Sequence, residues 1–259
     1  MQTGRLVVGP WTVLPDEFLV SGESLVRNLK LGRQWVRDLG GRPSDAGFVC
    51  DLFGHNSQMP QIFAGFNIRG GLIWRGVNQA SERHLRWQGA DGTELPCYRF
   101  GPTGYCDYAV LVRFGREPET VYDGARTEAA LADFLDREAD ATKIDPILLF
   151  DGCDHQEWDQ EAYAVLARRL DTPDERYAIR HSSPDDYLAD MLAEASQIGP
   201  QVAGELRAQG SRPAAEDVQR VDFEGNALGP AERLERPSVD LLLHPKQIVT
   251  LRFIGAPAQ

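Results

Sequence analysis

The sequence lacks the features that would place this protein in a membrane or on a nucleic acid. No run of about 18 apolar residues, the length that a membrane-spanning helix requires, occurs along the chain. No block of Lys or Arg occurs either, and 27 basic residues against 39 acidic ones give a net charge of −12. Because an acidic surface repels phosphate groups, we expect neither nucleic acid nor a membrane surface as a partner.

Cysteine is also scarce, and its spacing excludes a disulfide scaffold. The 259 residues include four cysteines, without a C-x-x-C pair among them. The N-terminus is polar from the start and has no leader-like apolar region. We therefore expect a cytoplasmic protein with reduced thiols, in which Cys50 and Cys153 are small buried hydrophobic residues rather than nucleophiles.

Short apolar runs alternate with amphipathic segments, a pattern typical of repeated β-α units and a parallel sheet. We predict strands at residues 5–8, 47–52, 72–75, 147–150 and 177–180, and helices at 16–39, 57–66, 127–141, 161–170 and from Ser183 onward. The apolar runs 85–87 and 95–98 flank Asp91-Gly92, which predicts a hairpin that interrupts the α/β layer as an insertion.

The composition changes near residue 208, which predicts a domain boundary. Residues 208–217 are rich in Gly, Ala, Pro, Arg and Glu and are typical of a linker. Apolar β-forming runs follow at 218–223, 239–243 and 248–253, without a helical pattern between them. The sequence thus predicts an α/β domain at 1–207, a linker at 208–217 and an antiparallel β-rich segment at 218–259.

Two carboxylates, Asp51 and Asp154, follow predicted strands at the edge where parallel α/β sheets bind ligands. A pair of carboxylates facing one pocket is what glycoside hydrolysis requires, with one as nucleophile or base and the other as acid. The alternative is that each Asp caps the segment that follows its strand. Position alone leaves both interpretations open.

The segment from Asp51 to Ile62, which reads DLFGHNSQMPQI, resembles the Asp-x-Phe-Gly-His-x-x-x-Met/Leu-Pro segment of the family 38 glycoside hydrolases, the zinc-dependent α-mannosidases. Further segments resemble bacterial members of the family in the same order: 9–11, 14–17, 73–77, 148–155 and 204–207. The resemblance covers about residues 4–207, and residues 241–252 look like closing strands of the family's C-terminal β-domain.

The resemblance implies a parallel-sheet (β/α) barrel-like catalytic domain lacking its first strand, followed by a short β-rich remnant. It implies that Asp51 is both the nucleophile and a zinc ligand, and that Asp154 is the general acid/base. Phe53, Arg75 and Tyr105 match residues near the sugar, and Arg75 is expected to pair with the Asp51 carboxylate and keep it ionised. The implied substrate is an α-mannoside or oligosaccharide, hydrolysed with retention.

Two zinc-ligating motifs of the family, His-x-Asp on the first strand and a later His-Asp, do not occur in this sequence. None of its five histidines is followed by Asp or lies two residues before one. His55 and His155 are the available substitutes, and we expect both to be bonded within their own turns instead. Since one carboxylate binds zinc weakly, we expect less than one zinc per chain and little turnover of an aryl α-mannoside.

Two hypotheses follow. In the first, the chain is an α-mannosidase, active alone or completed by another chain. In the second, it is an inactive truncated remnant that at most binds carbohydrate or a partner and self-associates through exposed apolar surface. A deacetylase on a related barrel would need His-x-x-x-His, which does not occur.

Two other features have simpler explanations. We expect Trp11, Trp74 and Trp87 to pack in the core rather than stack on sugar. The carboxylates of residues 151–159 lack the glycine-bearing ligand loop of a calcium site, so we expect a solvated loop.

Overall fold

The computed structural model describes residues 5–77, 81–113, 123–171, 176–207, 215–221, 230, 232–233 and 250–255. The chain divides into two compact units, Met1–Ala208 and Gln209–Gln259, and each is described by itself. Within the described residues, every helix is too short or too polar to cross a bilayer.

The first unit alternates helices and strands, as the sequence predicts. Its α-helices are α1 (Gly22–Asp38), α2 (Met59–Gly65), α3 (Gly124–Asp140), α4 (Gln160–Asp171) and α5 (Pro184–Ala193). Its strands are β1 (Ala46–Val49), β2 (Gly54–His55), β3 (Gly70–Ile73), β4 (His84–Gln88), β5 (Glu94–Arg99), β6 (Gln201–Ala203) and β7 (Leu206–Arg207). Short 3₁₀ helices span Gly104–Cys106 and Ala195–Gln197, and a π-helical turn spans Ala109–Arg113.

The central sheet is mixed and mostly parallel, with the strand order β1-β3-β5-β4-β6. β1 pairs with β3, β3 with β5 and β4 with β6 in parallel, while β4 and β5 form the predicted antiparallel hairpin. The prediction that this hairpin is an insertion was wrong, because both of its strands also pair with other strands. An α/β fold is thus confirmed, at the level of a five-stranded, mostly parallel sheet.

Three predicted strands are absent from the described part of the chain. Val8 forms only an isolated bridge with Pro43, and residues 147–150 and 177–180 have no ladder. Instead, Ile147, Leu149 and Ile179 pack against a hydrophobic cluster that includes three residues of α3, Leu131, Phe134 and Leu135. The apolar residues of these two segments therefore indicate that the side chains are buried, and burial does not require that the backbone pairs with another strand.

Two helix starts show why capping decides where an element begins. The Ser183 hydroxyl accepts a hydrogen bond from the Asp186 N–H, and Pro184 occupies the first turn of α5, as predicted. α1 begins at Gly22 rather than near Asp16, because the Ser21 hydroxyl accepts from the Ser24 N–H at 3.2 Å.

Glycine allows close packing where α1 crosses the N-terminal segment. A Cβ on Gly32 would lie 2.3 Å from the Trp11 carbonyl carbon, so only glycine fits there. Leu25, Leu29 and Val36 of α1 are buried, whereas Leu39, directly after the helix, is 71% exposed. Trp11 and Trp87 pack in the core, as expected.

The second unit is a three-stranded antiparallel sheet with the order β10-β8-β9. Its strands are β8 (Ala215–Val221), β9 (Glu232–Arg233) and β10 (Thr250–Gly255). The prediction of antiparallel β-structure in the tail is confirmed for these strands, and the predicted run 239–243 lies outside the described residues.

A buried histidine at the start of β4 makes the stability of the first unit depend on pH. His84 Nε2 lies 2.6 Å from the Tyr187 hydroxyl, and its Nδ1 has no hydrogen-bond partner among the described residues. Burial, followed by the charge of Arg83, lowers the pKa of His84 to about 4. The ring is therefore neutral in the folded protein at neutral pH.

Acidification should destabilise the first unit through His84. Between about pH 6.5 and about pH 4, the unfolded chain binds a proton that the folded chain does not, so stability falls as pH falls. The full effect is about 3 kcal/mol in the free energy of unfolding. His84→Gln should flatten this dependence in urea unfolding curves, and the exposed-site control His155→Asn should retain it. An equal acid-induced loss in wild type and His84→Gln would contradict the assignment.

Candidate active site

The first half of the candidate site lies at the carboxyl end of two neighbouring parallel strands. β1 and β3 pair in parallel with Val49 opposite Ile73, so residues 51 and 75 leave the sheet at the same edge. Arg75 Nη1 donates a hydrogen bond to Asp51 Oδ1 at 2.9 Å. The Asp51 side chain is 49% exposed, so its second oxygen remains open to a ligand.

The Arg75 guanidinium is held between two aromatic rings as well as by Asp51. Its central carbon lies 3.7 Å from the Trp74 ring centroid and 4.6 Å from that of Phe53. Such cation–π contacts restrict the guanidinium to one plane. Phe53 is 64% exposed and presents its ring to solvent beside Asp51.

The second half of the site comes from a loop and a short helix later in the chain. Asp154 lies in the exposed loop 151–155, and the Tyr105 hydroxyl donates a hydrogen bond to Asp154 Oδ1 at 2.8 Å. Partial burial is the largest cause of the raised pKa of Tyr105, and this hydrogen bond and the charges of Asp51 and Asp154 raise that pKa further. The phenol thus lies in the field of both carboxylates.

Trp74 joins the two halves. Its ring contacts the Tyr105 ring edge-on with centroids 5.9 Å apart, and Arg75 stacks on it. The expectation of simple core packing was incomplete for Trp74, since this partly buried ring packs on the core and also supports two site residues. Gly104 makes the contact possible: its φ is +67°, and a Cβ there would lie 2.4 Å from the Trp74 ring.

The loop that carries Asp154 is anchored by an arginine. Arg113 Nη1 donates to Asp151 Oδ1 at 2.5 Å, and Nη2 donates to the Glu157 carbonyl at 2.9 Å. The expectation of a solvated acidic loop was therefore incomplete, because Arg113 engages Asp151 and Tyr105 engages Asp154. The anchor fixes both ends of the loop around Asp154.

The two candidate histidines lie apart from this arrangement. His55 is fully buried, with Nδ1 2.8 Å from Glu17 Oε1, and the Asn56 N–H donates to the other Glu17 oxygen. His55 is therefore held by Glu17 and not by backbone within its own turn. Burial raises the pKa of Glu17 despite the opposing effect of His55. His155 is exposed, with a φ of 55°.

The described residues do not fit a zinc site. Among them, no three side chains of His, Cys, Asp or Glu converge on one point where an ion could be held. Asp51 Oδ1 is engaged by Arg75 instead. A tetrahedral zinc needs three or four such ligands, so Asp51 by itself cannot supply the site.

The structure thus brings together Asp51, Phe53, Arg75, Tyr105 and Asp154, the residues that the sequence singled out. Sequence reasoning missed the supporting roles of Trp74, Gly104 and Arg113. Gly104 directly before Tyr105 was the one local signal, and none marked the supporting role of Trp74 or Arg113.

Comparison with known proteins places this arrangement in a family. Residues 1–206 match the model of the N-terminal domain of the glycosyl hydrolases family 38. A putative mannosylglycerate hydrolase from Halalkalibacterium halodurans is 31% identical over 226 residues, which is 81% of this chain and 24% of that protein. The α-mannosidase of Saccharomyces cerevisiae is 33% identical over 98 residues, 36% of this chain and 9% of the yeast protein.

A solved structure agrees with the sequence matches. The crystal structure of an α-mannosidase from Enterococcus faecalis superposes with a TM-score of 0.64 at 26% identity, over 79% of this chain and 22% of that chain. This chain therefore spans about a quarter of the length of the bacterial relatives that it matches. Since the family model covers most of the chain, we conclude that the chain belongs to the glycosyl hydrolases family 38.

Proposed function

We propose that the unit of residues 1–207 contributes the nucleophile and the general acid/base of a retaining α-mannosidase site on a (β/α) barrel-like domain. The observation that carries this proposal is the position of Tyr105, which donates to Asp154 and lies in the field of Asp51. Two carboxylates around one open position are the arrangement that retaining glycosidases use.

The chemistry assigned to the two carboxylates follows from their partners. Asp51 attacks the anomeric carbon with Oδ2, because Arg75 occupies Oδ1, and a covalent mannosyl-enzyme forms. Asp154 gives its proton to the departing glycosidic oxygen, then accepts a proton from the water that releases the sugar. Arg75 and Tyr105 orient the two carboxylates, and the exposed ring of Phe53 offers a face on which a pyranose can stack.

The substrate in this proposal is a terminal α-mannoside, either an oligosaccharide or a small mannoside. The name of the Halalkalibacterium relative adds mannosylglycerate as one such compound. A second candidate function is supported by the lack of fit to zinc: the chain is inactive and at most binds carbohydrate or a partner chain.

The decisive test measures turnover of an aryl α-mannoside. We expect slow hydrolysis by the wild type, since the described residues do not form a zinc site, and loss of on the order of 10³-fold or more in Asp51→Asn. Asp154→Asn should lose about 10²- to 10⁴-fold. Azide should restore turnover in Asp154→Asn, releasing an α-mannosyl azide, because a small anion needs no general base.

A matched control is Asp133→Asn, which replaces an exposed aspartate on α3 and should leave turnover unchanged.

A fluorinated mannosyl fluoride, which traps the covalent intermediate, should label the peptide that contains Asp51. Absence of both turnover and labelling in the wild type would contradict the mannosidase proposal and favour the inactive alternative.

Zinc, which membership of the family implies, is the part of the proposal that the described residues support least. We expect equilibrium dialysis with zinc to give less than one ion per chain, because Asp51 is the only proposed ligand. The Asp51→Asn variant and the Asp133→Asn control should then bind the same amount of zinc per chain. One zinc per wild-type chain, lost in Asp51→Asn alone, would contradict this prediction.

We also propose the domain arrangement of 1–207, a linker at 208–217, whose last three residues begin β8, and a β-rich segment at 218–259. The division into compact units at residue 208 supports it. We propose a cytoplasmic location as well, which the four free cysteines support. The chain should also self-associate through exposed apolar residues such as Leu19 and Trp35.

Limited proteolysis should cut the chain first within residues 208–214, ahead of β8, and leave a resistant fragment that ends there. The reason is that few contacts cross a linker, so its backbone can enter a protease site. Mass spectrometry of the early fragments identifies the cut. First cleavage inside 1–207, for example in the loop 151–159, would contradict the proposed boundary.

A further inference from the structure

Two cysteines flank the contact between Tyr105 and Asp154. Cys106 ends the 3₁₀ helix Gly104–Cys106, and Cys153 lies in the loop directly before Asp154. Both are free and partly exposed, whereas Cys50 and Cys97 are fully buried. The expectation that Cys153 is a buried hydrophobic residue was therefore wrong.

The two segments pack against each other along their backbones. A Cβ on Gly152 would lie 3.7 Å from the Tyr105 carbonyl oxygen, so the two backbones approach closely one residue before each cysteine. The Tyr105 hydroxyl reaches over to Asp154 at 2.8 Å. Cys106 and Cys153 each follow this backbone contact by one residue, and Cys153 is near enough to Cys106 to contribute to the raised pKa of the Cys106 thiol.

We propose that Cys106 and Cys153 form a reversible disulfide when the protein meets a small organic disulfide, and that this bond fastens the Asp154 loop to the helix that carries Tyr105. The two cysteines lie beside each other where these segments meet, so the bond requires a rearrangement of two side chains and no movement of distant elements. Their partial exposure gives an oxidant access that Cys50 and Cys97 do not offer.

The reaction proceeds by two exchanges, and its electrons balance. The Cys153 thiolate attacks one sulfur of the small disulfide, breaks its S–S bond and releases one thiolate, which takes up a proton. Cys106 then loses its proton and attacks Cys153 in the mixed disulfide, releasing the second small thiol. Two protein thiols are oxidised, and one small disulfide is reduced to two thiols.

The order of attack follows from the surroundings of Cys106. Partial burial and the hydrogen bond with Cys153 raise the pKa of Cys106 to about 11, so it is a protonated thiol at neutral pH. Because the thiolate is the attacking species, Cys106 acts second, as the resolving thiol.

The test incubates the full chain with glutathione disulfide at neutral pH and counts thiols under denaturing conditions. We expect the count to fall from the four of the sequence to two, with an intact mass lower by two hydrogen atoms. Digestion without reductant should yield a peptide pair joined through Cys106 and Cys153, and dithiothreitol should separate it.

Single replacements provide the controls. Cys106→Ser should stop at a mixed disulfide on Cys153, and Cys153→Ser should give no cross-link, whereas the buried-site control Cys97→Ala should retain it. Four thiols after incubation, stable glutathione adducts on both cysteines or a cross-link to Cys50 or Cys97 would overturn the inference. In a chain that hydrolyses mannoside, oxidation should alter turnover reversibly. A cross-linked chain without turnover would contradict the proposed function alone.

Discussion

The parallel register between β1 and β3 is the constraint on which the candidate site depends. It places Val49 opposite Ile73, so that Asp51 and Arg75 leave the sheet side by side, although 24 positions separate them in sequence. Asp51 on a shifted strand would face another partner, since a slip of one residue turns each side chain to the opposite face. The hydrogen-bond ladder, more than any loop, therefore fixes the geometry at Asp51.

A second contribution comes from the stack of rings that links the two carboxylates. Arg75 lies on Trp74, Trp74 meets Tyr105 edge-on, and Tyr105 donates to Asp154. Each contact by itself is weak, about 1 kcal/mol, but together they join a strand end to a loop that the sheet does not hold. Gly104 allows this packing because any side chain there would enter the space of the Trp74 ring.

The sequence predicted the parts of this protein that depend on local pattern. The amphipathic period identified α3 and α4, Ser183-Pro184 marked the start of α5, and Asp91-Gly92 marked the β4–β5 hairpin. Sequence patterns failed to predict strands correctly where strand formation depends on which segments pair with each other. Residues 147–150 have the composition of a strand but no ladder in the described structure, and the hairpin belongs to the sheet although its turn signal suggested an insertion.

The sequence by itself determined the family and the five residues proposed for the site, because a motif such as DLFGH places the family's characteristic residues next to one another in the chain. Only the tertiary structure decided what those residues touch. Arg75 contacts Asp51, Tyr105 contacts Asp154, and elsewhere in the unit Glu17 contacts His55, all pairs separated by more than 20 positions. Contacts of that range depend on how the elements pack, and local composition carries no record of the partner.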